Sequence, residues 1–349
     1  MAQTQQHHSA VRHLLRSALS DTRAVVRALL AWAFLVLARK AFRVLRAKRA
    51  LQVSGKGKTA VVTGGASGVG RSTVELLARQ GWRVYCVDIN EANLATVDRD
   101  LREQAGLDVR TARTNVTSLE SCEALRDRVT EELKSDADRP GLDLLINCAA
   151  VAFVGPVLSC PWTQIETQMQ VNLMGPIRMC TAFKDALLAS AHSSAIVNVG
   201  SISGCTAWPW QCAYSSTKAG LLGFAETLRR EIVASGRRLR VHTINPGPID
   251  TPLVAAQSEA GKLWLSENAN DTFADAMAAT DARHDGAMSI KNRWVFLGPD
   301  DVAKALVAVA NDPLSPSVST VVAPLFWPIY SLLLTLPESW GDALMTTNL

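Results

Sequence analysis

Short apolar runs rich in β-branched residues alternate with longer stretches whose apolar positions recur every three to four residues. The first pattern predicts strands and the second predicts amphipathic helices. Repetition of strand, helix and strand indicates an α/β fold, with a doubly wound parallel sheet covered by helices on both faces. The predicted strands are residues 59–63, 83–87, 142–147, 195–199, 239–244 and 318–323, and the clearest helices are residues 69–80, 119–134, 161–189 and 212–235.

Two segments depart from this alternation. Residues 253–298 are polar, and they follow a strand that ends at the edge where such sheets bind ligands. A long insertion at that place predicts a substrate lid. Residues 318–336 are strongly apolar, but Pro324 and Pro328 argue against a continuous membrane-spanning helix. We expect residues 324–349 to form an apolar C-terminal extension that covers a pocket or contacts lipid.

Residues 1–56 differ in composition from the body that follows, residues 57–349. The apolar run ALLAWAFLVLA (28–38) is shorter than the roughly 20 residues that span a bilayer. Residues 1–58 carry twelve Lys and Arg and one acid, so their charge is +11 and the rest of the chain carries about −7. Three interpretations stay open: a short signal anchor, a basic helix lying in lipid headgroups, and a cleaved mitochondrial presequence. The first two, which we favour, predict a membrane-associated N-terminal helix followed by the linker SGKGK (54–58).

Composition excludes several other classes of function. The body does not interleave basic and aromatic residues as a nucleic-acid groove does, so we expect no nucleic-acid partner. The seven cysteines are odd in number, widely spaced and free of CxxC pairs. This spacing argues against a disulfide framework and against zinc, and it predicts free thiols and no metal site.

The segment TAVVTGGASGVG places three glycines between a predicted strand and a predicted helix. Gly64 allows a sharp turn, Gly68 lets the backbone approach a pyrophosphate, and Gly70 lets the helix pack close to the strand. Ser67 precedes the second glycine, and the helix begins at about Val69. Free N–H groups at a helix N-terminus favour anions, so this turn predicts a dinucleotide-binding site.

Asp88 ends the second predicted strand, 24 residues beyond Gly64, and Ile89 follows it. A carboxylate in this place accepts hydrogen bonds from the two adenosine ribose hydroxyls and repels a 2′-phosphate. No basic residue stands beside it to bind such a phosphate. The sequence therefore predicts NAD as the cofactor, with NADP less favoured.

Tyr214 and Lys218 stand four residues apart in a predicted helix and therefore share one face of it. An ammonium group beside a phenol lowers the phenol's pKa, so that the phenol can take a proton from an alcohol. Ser201 follows the strand AIVNV, thirteen residues upstream. The two hydroxyls are thus predicted to converge on one substrate oxygen.

Six signals occur in order along the chain: TGGASGVG, Asp88, NCAA (147–150), Asn172 in VNLMG, Ser201 with YSSTK, and PGPIDT (246–251). In motif, order and spacing they resemble the short-chain dehydrogenase/reductase family over roughly residues 57–255. The resemblance implies a Rossmann-like fold of about seven strands that transfers a hydride between a substrate carbon and nicotinamide C4.

The resemblance also implies roles for individual residues. Tyr214 acts as general base or acid, Ser201 orients the substrate oxygen, Lys218 lowers the tyrosine pKa and holds the nicotinamide ribose, and Asn172 keeps a water that links Lys218 to solvent. Cys148, Ala150 and Asn115 depart from the family pattern, although Asn115 can still hydrogen-bond adenine. The implied cofactor contacts are Asn115 and Val116 near adenine, Asn147 and Ala149 on the adenosine side, and Pro246, Gly247, Ile249 and Thr251 at the nicotinamide end.

A looser similarity concerns GPVLSCPWTQIETQMQVNLMGPIRMCTAFKDALL and the tail FWPIYSLLLTLPESWGDAL, which resemble the retinol and hydroxysteroid dehydrogenase branch. It implies a lipophilic alcohol or ketone as substrate, attachment to a membrane, most plausibly the endoplasmic reticulum, and a homodimer or homotetramer. Two alternatives stay open: a mitochondrial or soluble enzyme acting on fatty-acyl or hydroxybutyrate-like substrates, and a non-catalytic nucleotide-sensing protein. The apolar residues expected to line the substrate pocket are Trp208, Trp210, Trp264, Trp294, Phe326 and Trp327.

Overall fold

A computed structural model of the chain describes residue 42 and residues 45–136, 141–279 and 296–321. The chain divides into two compact units, Met1–Arg49 and Ala50–Leu349. The apolar N-terminal run and the C-terminal extension predicted from the sequence lie outside the described residues. Within these described ranges, no helix is both long and apolar enough to cross a membrane.

In the first unit, the described residues are helical and carry both apolar and basic side chains. Phe42 and Leu45 expose about 60% of their surface (59% and 60%). The Arg46 guanidinium lies 5.6 Å from the centre of the Phe42 ring.

The second unit contains a sheet of seven parallel strands in the order β3-β2-β1-β4-β5-β6-β7. Strand order reverses between β1 and β4, and the crevice at such a switch point is where open α/β sheets bind ligands. The doubly wound α/β fold predicted from the sequence is confirmed. The strands are β1 (Thr59–Thr63), β2 (Arg83–Asp88), β3 (Val109–Arg113), β4 (Leu144–Asn147), β5 (Ala195–Val199), β6 (Arg240–Pro246) and β7 (Val318–Val321).

Eight helices of the described residues surround this sheet, and several begin within one residue of the predicted positions. The predicted helix 161–189 is confirmed as an unbroken helical segment over residues 162–188, which contains a wide π-helical turn, Gln170–Met174. A second wide turn, Asp98–Gln104, extends α2. The helices are α1 (Gly68–Arg79), α2 (Glu91–Val97), α3 (Leu119–Lys134), α4 (Trp162–Met169), α5 (Gly175–Leu188), α6 (Cys212–Ala234), α7 (Pro252–Glu267) and α8 (Pro299–Asn311).

Apolar side chains cover both faces of the sheet, as a parallel sheet between two helical layers requires. On one face Val62 packs in a cluster with Leu77 of α1 and Leu306 of α8. On the other face Val61 packs in a cluster with Val129 of α3 and Phe183 of α5. The central strands are consequently buried along nearly their whole length, and most of their residues are apolar, so the sequence pattern predicts their positions well.

The predicted linker 54–58 is held against the body at the amino-terminal edge of the sheet. The Gly55 N–H donates to the Gln80 carbonyl oxygen at 2.8 Å. A Cβ on Gly55 would lie 1.9 Å from Trp82 Cδ1, so the backbone lies directly on the indole. The Lys58 ammonium lies 5.2 Å from the centre of the same ring. This segment is therefore ordered by packing as far as the start of β1.

Candidate active site

The turn after β1 is built so that only glycine fits at two of its positions. Gly64 has a φ of +63°, and a Cβ there would lie 2.8 Å from the Ala149 backbone nitrogen. A Cβ on Gly70 would lie 2.0 Å from the Gly64 carbonyl oxygen. The backbone at Gly64 therefore lies against the segment that follows β4, and the first turn of α1 packs directly on the glycine turn.

Helix α1 begins at this turn with its N-terminus free of acidic residues. Ser67 is the N-cap, in an extended conformation, and its side chain caps no backbone N–H of the helix. Val69, the second helical residue, is buried. Free N–H groups and the positive end of the helix dipole make this place suitable for a pyrophosphate.

The segment after β6 reaches the same turn. A Cβ on Gly68 would lie 3.5 Å from Thr251 Cγ2, and Thr251 is the N-cap of α7. Gly247 donates its N–H to the Val321 carbonyl oxygen at 2.8 Å, and Ile249 forms a bridge with Leu297. Thr251 thus lies beside the glycine turn, and Pro246 ends β6. The predicted nicotinamide contacts of Pro246, Gly247, Ile249 and Thr251 stay predictions.

Asp88 lies at the end of β2 with its carboxylate directed at the glycine turn. Its Oδ2 accepts the Ala66 N–H at 3.1 Å and its Oδ1 accepts the Asn90 N–H at 3.0 Å. Each carboxylate oxygen has a further lone pair, so both can still accept from a ribose hydroxyl. Ile89, the next residue, is 57% exposed.

The loop after β3 is fixed by its own hydrogen bonds. Asn115 Oδ1 accepts the Thr117 N–H at 3.0 Å and the Thr117 hydroxyl at 2.8 Å. These bonds use the Asn115 oxygen and not its side-chain NH₂. The predicted contact of Asn115 with adenine stays a prediction. Val116 is buried and lies beside α5, because a Cβ on Gly175 would lie 3.0 Å from its Cγ2.

Asn147 ends β4 and is almost fully buried. Its Nδ2 donates to Asn198 Oδ1 of the neighbouring strand at 2.9 Å. The side chain is thus directed across the sheet, and its predicted place on the adenosine side stays a prediction. The following segment is held by Thr63, whose Oγ1 accepts the N–H groups of Cys148 at 3.1 Å and Ala149 at 3.2 Å.

Tyr214, Ser201 and Lys218 lie together at the carboxyl end of β5. The Ser201 hydroxyl lies close enough to the Tyr214 phenol to act on the phenol's pKa. The Lys218 Nζ lies 5.6 Å from the centre of the phenol ring and donates to the Val199 carbonyl oxygen at 2.9 Å. The helical spacing therefore places the Lys218 ammonium beside the Tyr214 ring at the end of β5. The convergence of the Ser201 and Tyr214 hydroxyls on one substrate oxygen stays a prediction.

The pKa values of these groups differ from the expectation. Burial raises the pKa of Tyr214 to about 12, although the Ser201 hydrogen bond acts in the opposite direction. Burial also lowers the pKa of Lys218 to about 8. For both groups the cost of burying a charge is the largest cause of the pKa shift.

Asn172 lies in the π-helical turn and is fully buried. Its Oδ1 accepts the Val151 N–H at 2.9 Å, and its Nδ2 donates to the Val151 carbonyl oxygen at 2.8 Å. A longer contact of 3.4 Å joins its Nδ2 to Thr217 Oγ1 on α6. The side chain therefore fixes the loop after β4 against α6, the helix that carries Tyr214 and Lys218. The water predicted at Asn172 stays a prediction.

Sequence reasoning missed three groups that shape this site. Thr63 orients the NCAA segment, and the Val199 carbonyl oxygen holds the Lys218 ammonium. Cys148 lies close enough to Lys218 and Asp88 for both charges to affect its pKa, which burial raises to about 11. The sequence contains one signal for the role of Thr63: it is a hydroxyl residue directly before Gly64, the first glycine of the turn.

Three of the six predicted pocket aromatics can be located. Trp208 and Trp210 directly precede α6, and Trp264 is buried in α7. The other three, Trp294, Phe326 and Trp327, lie outside the described residues, as does part of the predicted lid.

A dinucleotide fits the residues at this edge. Gly64 and Gly70 form a cradle that any Cβ would fill, and an acid-free helix N-terminus faces it. Across the residues with a described structure, no group of three His, Cys, Asp or Glu side chains could hold a metal ion.

Comparison with known proteins agrees with this geometry. A probable oxidoreductase, EphD of Mycobacterium tuberculosis, is 29% identical over 80% of this chain, which spans only 43% of EphD's length. Cis-4-hydroxycyclohexanecarboxylate dehydrogenase of Sinomonas cyclohexanicum is 32% identical over 76% of this chain and 94% of its own. A short-chain dehydrogenase/reductase from Burkholderia phymatum, solved in complex with NAD, has the same fold, with 24% identity, a TM-score of 0.66 and coverage of 85% of this chain and 97% of its own.

The model of the short chain dehydrogenase family matches residues 58–262, which include the glycine turn, Asp88, Ser201 and the Tyr214–Lys218 pair. The match spans more than half of the chain and coincides with the strands and helices that build the site. This protein is therefore a member of the short-chain dehydrogenase/reductase family.

Proposed function

We propose that this protein uses NAD to oxidise a hydroxyl group on a lipophilic alcohol of steroid or retinoid type. The observation that carries the proposal is the Lys218 ammonium 5.6 Å from the centre of the Tyr214 ring, at the end of β5 where the Ser201 hydroxyl lies close to the phenol. Two hydroxyls and one cation in this arrangement suit the removal of a proton from an alcohol.

In the proposed reaction, bound NAD supplies the acceptor for the hydride that leaves the alcohol carbon. The Ser201 hydroxyl holds the substrate oxygen, and the Tyr214 phenolate takes its proton. Lys218, held by the Val199 carbonyl, stabilises negative charge on the phenol. Asn172 fixes the Val151 backbone and so keeps the loop after β4 against α6.

The preference for NAD over NADP rests on Asp88. Its carboxylate is fixed by two backbone N–H groups and carries a negative charge where a 2′-phosphate would lie. The similar Burkholderia phymatum structure was solved with NAD, which supports the same cofactor for this chain.

A cyclic or otherwise lipophilic substrate is supported by apolar and aromatic residues at the N-terminal end of α6, the helix that carries Tyr214. Phe153, Val157, Ile165 and Trp210 line one small cavity at the start of α6. The Sinomonas relative is named for the oxidation of a hydroxyl group on a cyclohexane ring, which is consistent with this class.

Attachment to a membrane, in the endoplasmic reticulum, belongs to the same proposal. It is supported by the exposed Phe42 and Leu45 side chains, which stand among basic residues of the N-terminal unit. Apolar and basic groups on one helix suit an anionic lipid surface. Assembly into a homodimer or homotetramer is proposed from the family resemblance.

The test is a cofactor-reduction screen with NAD against steroids, retinol, hydroxybutyrate, fatty-acyl alcohols and small sugars. We expect the highest kcat/KM with a lipophilic alcohol. Tyr214→Phe should abolish turnover and leave NADH binding nearly unchanged, whereas Tyr85→Phe, a buried tyrosine of β2 outside the site, should retain turnover. Faster turnover of hydroxybutyrate or sugars would refute the substrate class, and NADH binding without any turnover would favour a nucleotide sensor.

A further inference from the structure

The Ser201 hydroxyl is carried by a short turn, residues 201–205, between β5 and α6. Residues Ile202–Gly204 form a 3₁₀-helical turn, and Ser201 is its N-cap. The Ser201 Oγ accepts the Ser203 N–H at 3.1 Å, which fixes the side chain against the turn. This bond uses a lone pair of the oxygen and leaves the hydroxyl proton to be donated. The contacts that hold the turn therefore also hold the Ser201 hydroxyl.

On one side, the turn packs directly on the backbone of α6. A Cβ on Gly204 would lie 2.7 Å from the Lys218 carbonyl carbon and 2.9 Å from the Lys218 carbonyl oxygen. Both distances are shorter than the 3.0 Å that Cβ atoms keep from other heavy atoms, so only glycine allows this approach. The opposing atoms belong to helical backbone and cannot rotate away as a side chain does. The turn is thus seated on the same residue that carries the ammonium of the site.

On the other side, the turn is held by Asn245, which lies near the end of β6 and is 2% exposed. Its Oδ1 lies 2.1 Å from the position of a Cβ on Gly200, so the amide occupies the space that a side chain at Gly200 would need. Its Nδ2 donates to the Cys205 Sγ at 3.5 Å. One buried amide thus contacts the residue before Ser201 and the last residue of the turn.

A further contact joins the turn to the start of α6. The Ser203 hydroxyl donates to the Oε1 of Gln211, the N-cap of α6, at 3.3 Å. The turn is therefore fixed to β6 by Asn245 and to α6 through Gly204 and Ser203. A displacement of the turn would move Ser201 relative to α6, the helix that carries the phenol and the ammonium.

We propose that Gly204 and Asn245 are positioning residues that set the Ser201 hydroxyl beside the Tyr214 phenol. The proposal rests on the proposed alcohol oxidation and adds two residues that act through Ser201. A misplacement of 1 Å in an active site can lower a rate about a hundredfold. Alanine at position 204 must open the contact with Lys218 by at least about 0.3 Å, from 2.7 Å to 3.0 Å. We therefore expect a smaller loss, of roughly tenfold in kcat.

The first experiment is a double-mutant cycle with Ser201. Gly204→Ala and Asn245→Ala should each lower kcat for a lipophilic alcohol roughly tenfold. In a Ser201→Ala background, the same substitutions should change the residual kcat by less than about twofold, because the hydroxyl that they position is already removed. Gly223→Ala is the control: it adds the same methyl group to α6 with no atom within 4 Å, and it should leave kcat unchanged in both backgrounds.

A second pair of variants tests the Asn245 contact at the surface. Cys205 is exposed, so its exchange does not disturb the core. Cys205→Ser keeps an acceptor for the Asn245 side-chain NH₂ and should retain kcat, whereas Cys205→Ala removes the acceptor and should lower kcat. If Gly204→Ala and Asn245→Ala do not fold, this pair decides, and equal kcat in the two Cys205 variants would overturn the proposal.

A spectroscopic readout does not depend on turnover. The chain has three tyrosines, so NMR of protein isotopically labelled at tyrosine Cζ follows each phenol, and the signal lost in Tyr214→Phe is that of Tyr214. We expect Gly204→Ala and Asn245→Ala to move the Tyr214 signal in the same direction as Ser201→Ala does. Neither should move it further in the Ser201→Ala background, and the signal of Tyr85 should stay in place.

The possible results separate a positioning role from a general structural one. Losses of kcat and signal shifts that are equal with and without Ser201 would show a general structural effect and overturn the proposal. Variants that match the wild-type protein in both readouts would also overturn it. A wild-type protein that oxidises no alcohol, with signal shifts that require Ser201, would refute the proposed oxidation and leave the positioning role supported.

Discussion

Replacement of Gly70 by alanine tests whether the glycine turn is limited by backbone contact. A Cβ at this position would lie 2.0 Å from the Gly64 carbonyl oxygen, whereas a Cβ in proteins essentially never approaches another heavy atom within 3.0 Å. The turn and α1 must therefore separate by at least about 1 Å. Overpacking of this kind costs about 1–3 kcal/mol, which outweighs the gain of about 1 kcal/mol that alanine normally brings to a helix.

We expect Gly70→Ala to lower the free energy of unfolding by up to about 2 kcal/mol, the overpacking cost less the helix gain. It should also weaken NADH binding, because a shift of about 1 Å displaces the backbone groups of the turn. Urea denaturation and NADH fluorescence titration measure the two effects. Gly223→Ala is the control, since Gly223 is exposed in α6 with no atom within 4 Å of its Cβ position, and it should stabilise the protein by about 0.5–1 kcal/mol. A Gly70→Ala protein with wild-type stability and NADH affinity would refute the geometric argument.

Two further predictions concern pH and cofactor choice. Burial lowers the pKa of His242 in the folded chain. As pH falls below about 6.5, the imidazole therefore takes up a proton more readily in the unfolded chain than in the folded chain. The free energy of unfolding consequently decreases as pH falls. His242→Gln should flatten this decline in urea denaturation between pH 7 and 5, and an unchanged slope would contradict it. Asp88→Asn removes the charge and keeps an acceptor for the Ala66 N–H, so the NADP/NAD ratio of kcat/KM should rise roughly tenfold. An unchanged ratio would show that Asp88 does not repel the 2′-phosphate.

Elements with a continuous apolar pattern were predicted well from the sequence. The strands TAVVT and AIVNV have the bounds observed for β1 and β5, because every side chain in these segments is buried or nearly so. Edge strand β3, VRTAR, was not located because only two of its five residues are buried, and its remaining polar positions hide the pattern. Its existence followed only from the expected count of about seven strands.

Features that depend on contacts between distant segments could not be predicted. The helical period continues through the π-helical turn, yet Asn172 there pairs with Val151, 21 residues earlier in the chain. The Arg178 guanidinium also holds this turn, donating to the Gln170 carbonyl oxygen at 3.2 Å. Likewise, the left-handed backbone of Trp210 has no local signal, since a tryptophan rarely adopts it.

The charges around Tyr214 determine how much free energy the ionisation of its phenol costs. With a pKa of about 12, ionising this phenol at pH 7 costs about 7 kcal/mol. At an effective dielectric constant near 20, one cation 4–6 Å away returns only about 3–4 kcal/mol. The Lys218 ammonium is moreover held by the Val199 carbonyl oxygen, and its own pKa of about 8 leaves it charged by only about ten to one at pH 7. The Lys218 ammonium therefore offsets only about half of the cost of ionising Tyr214, so the role of Tyr214 as a base in the proposed reaction needs further positive charge beside the phenol.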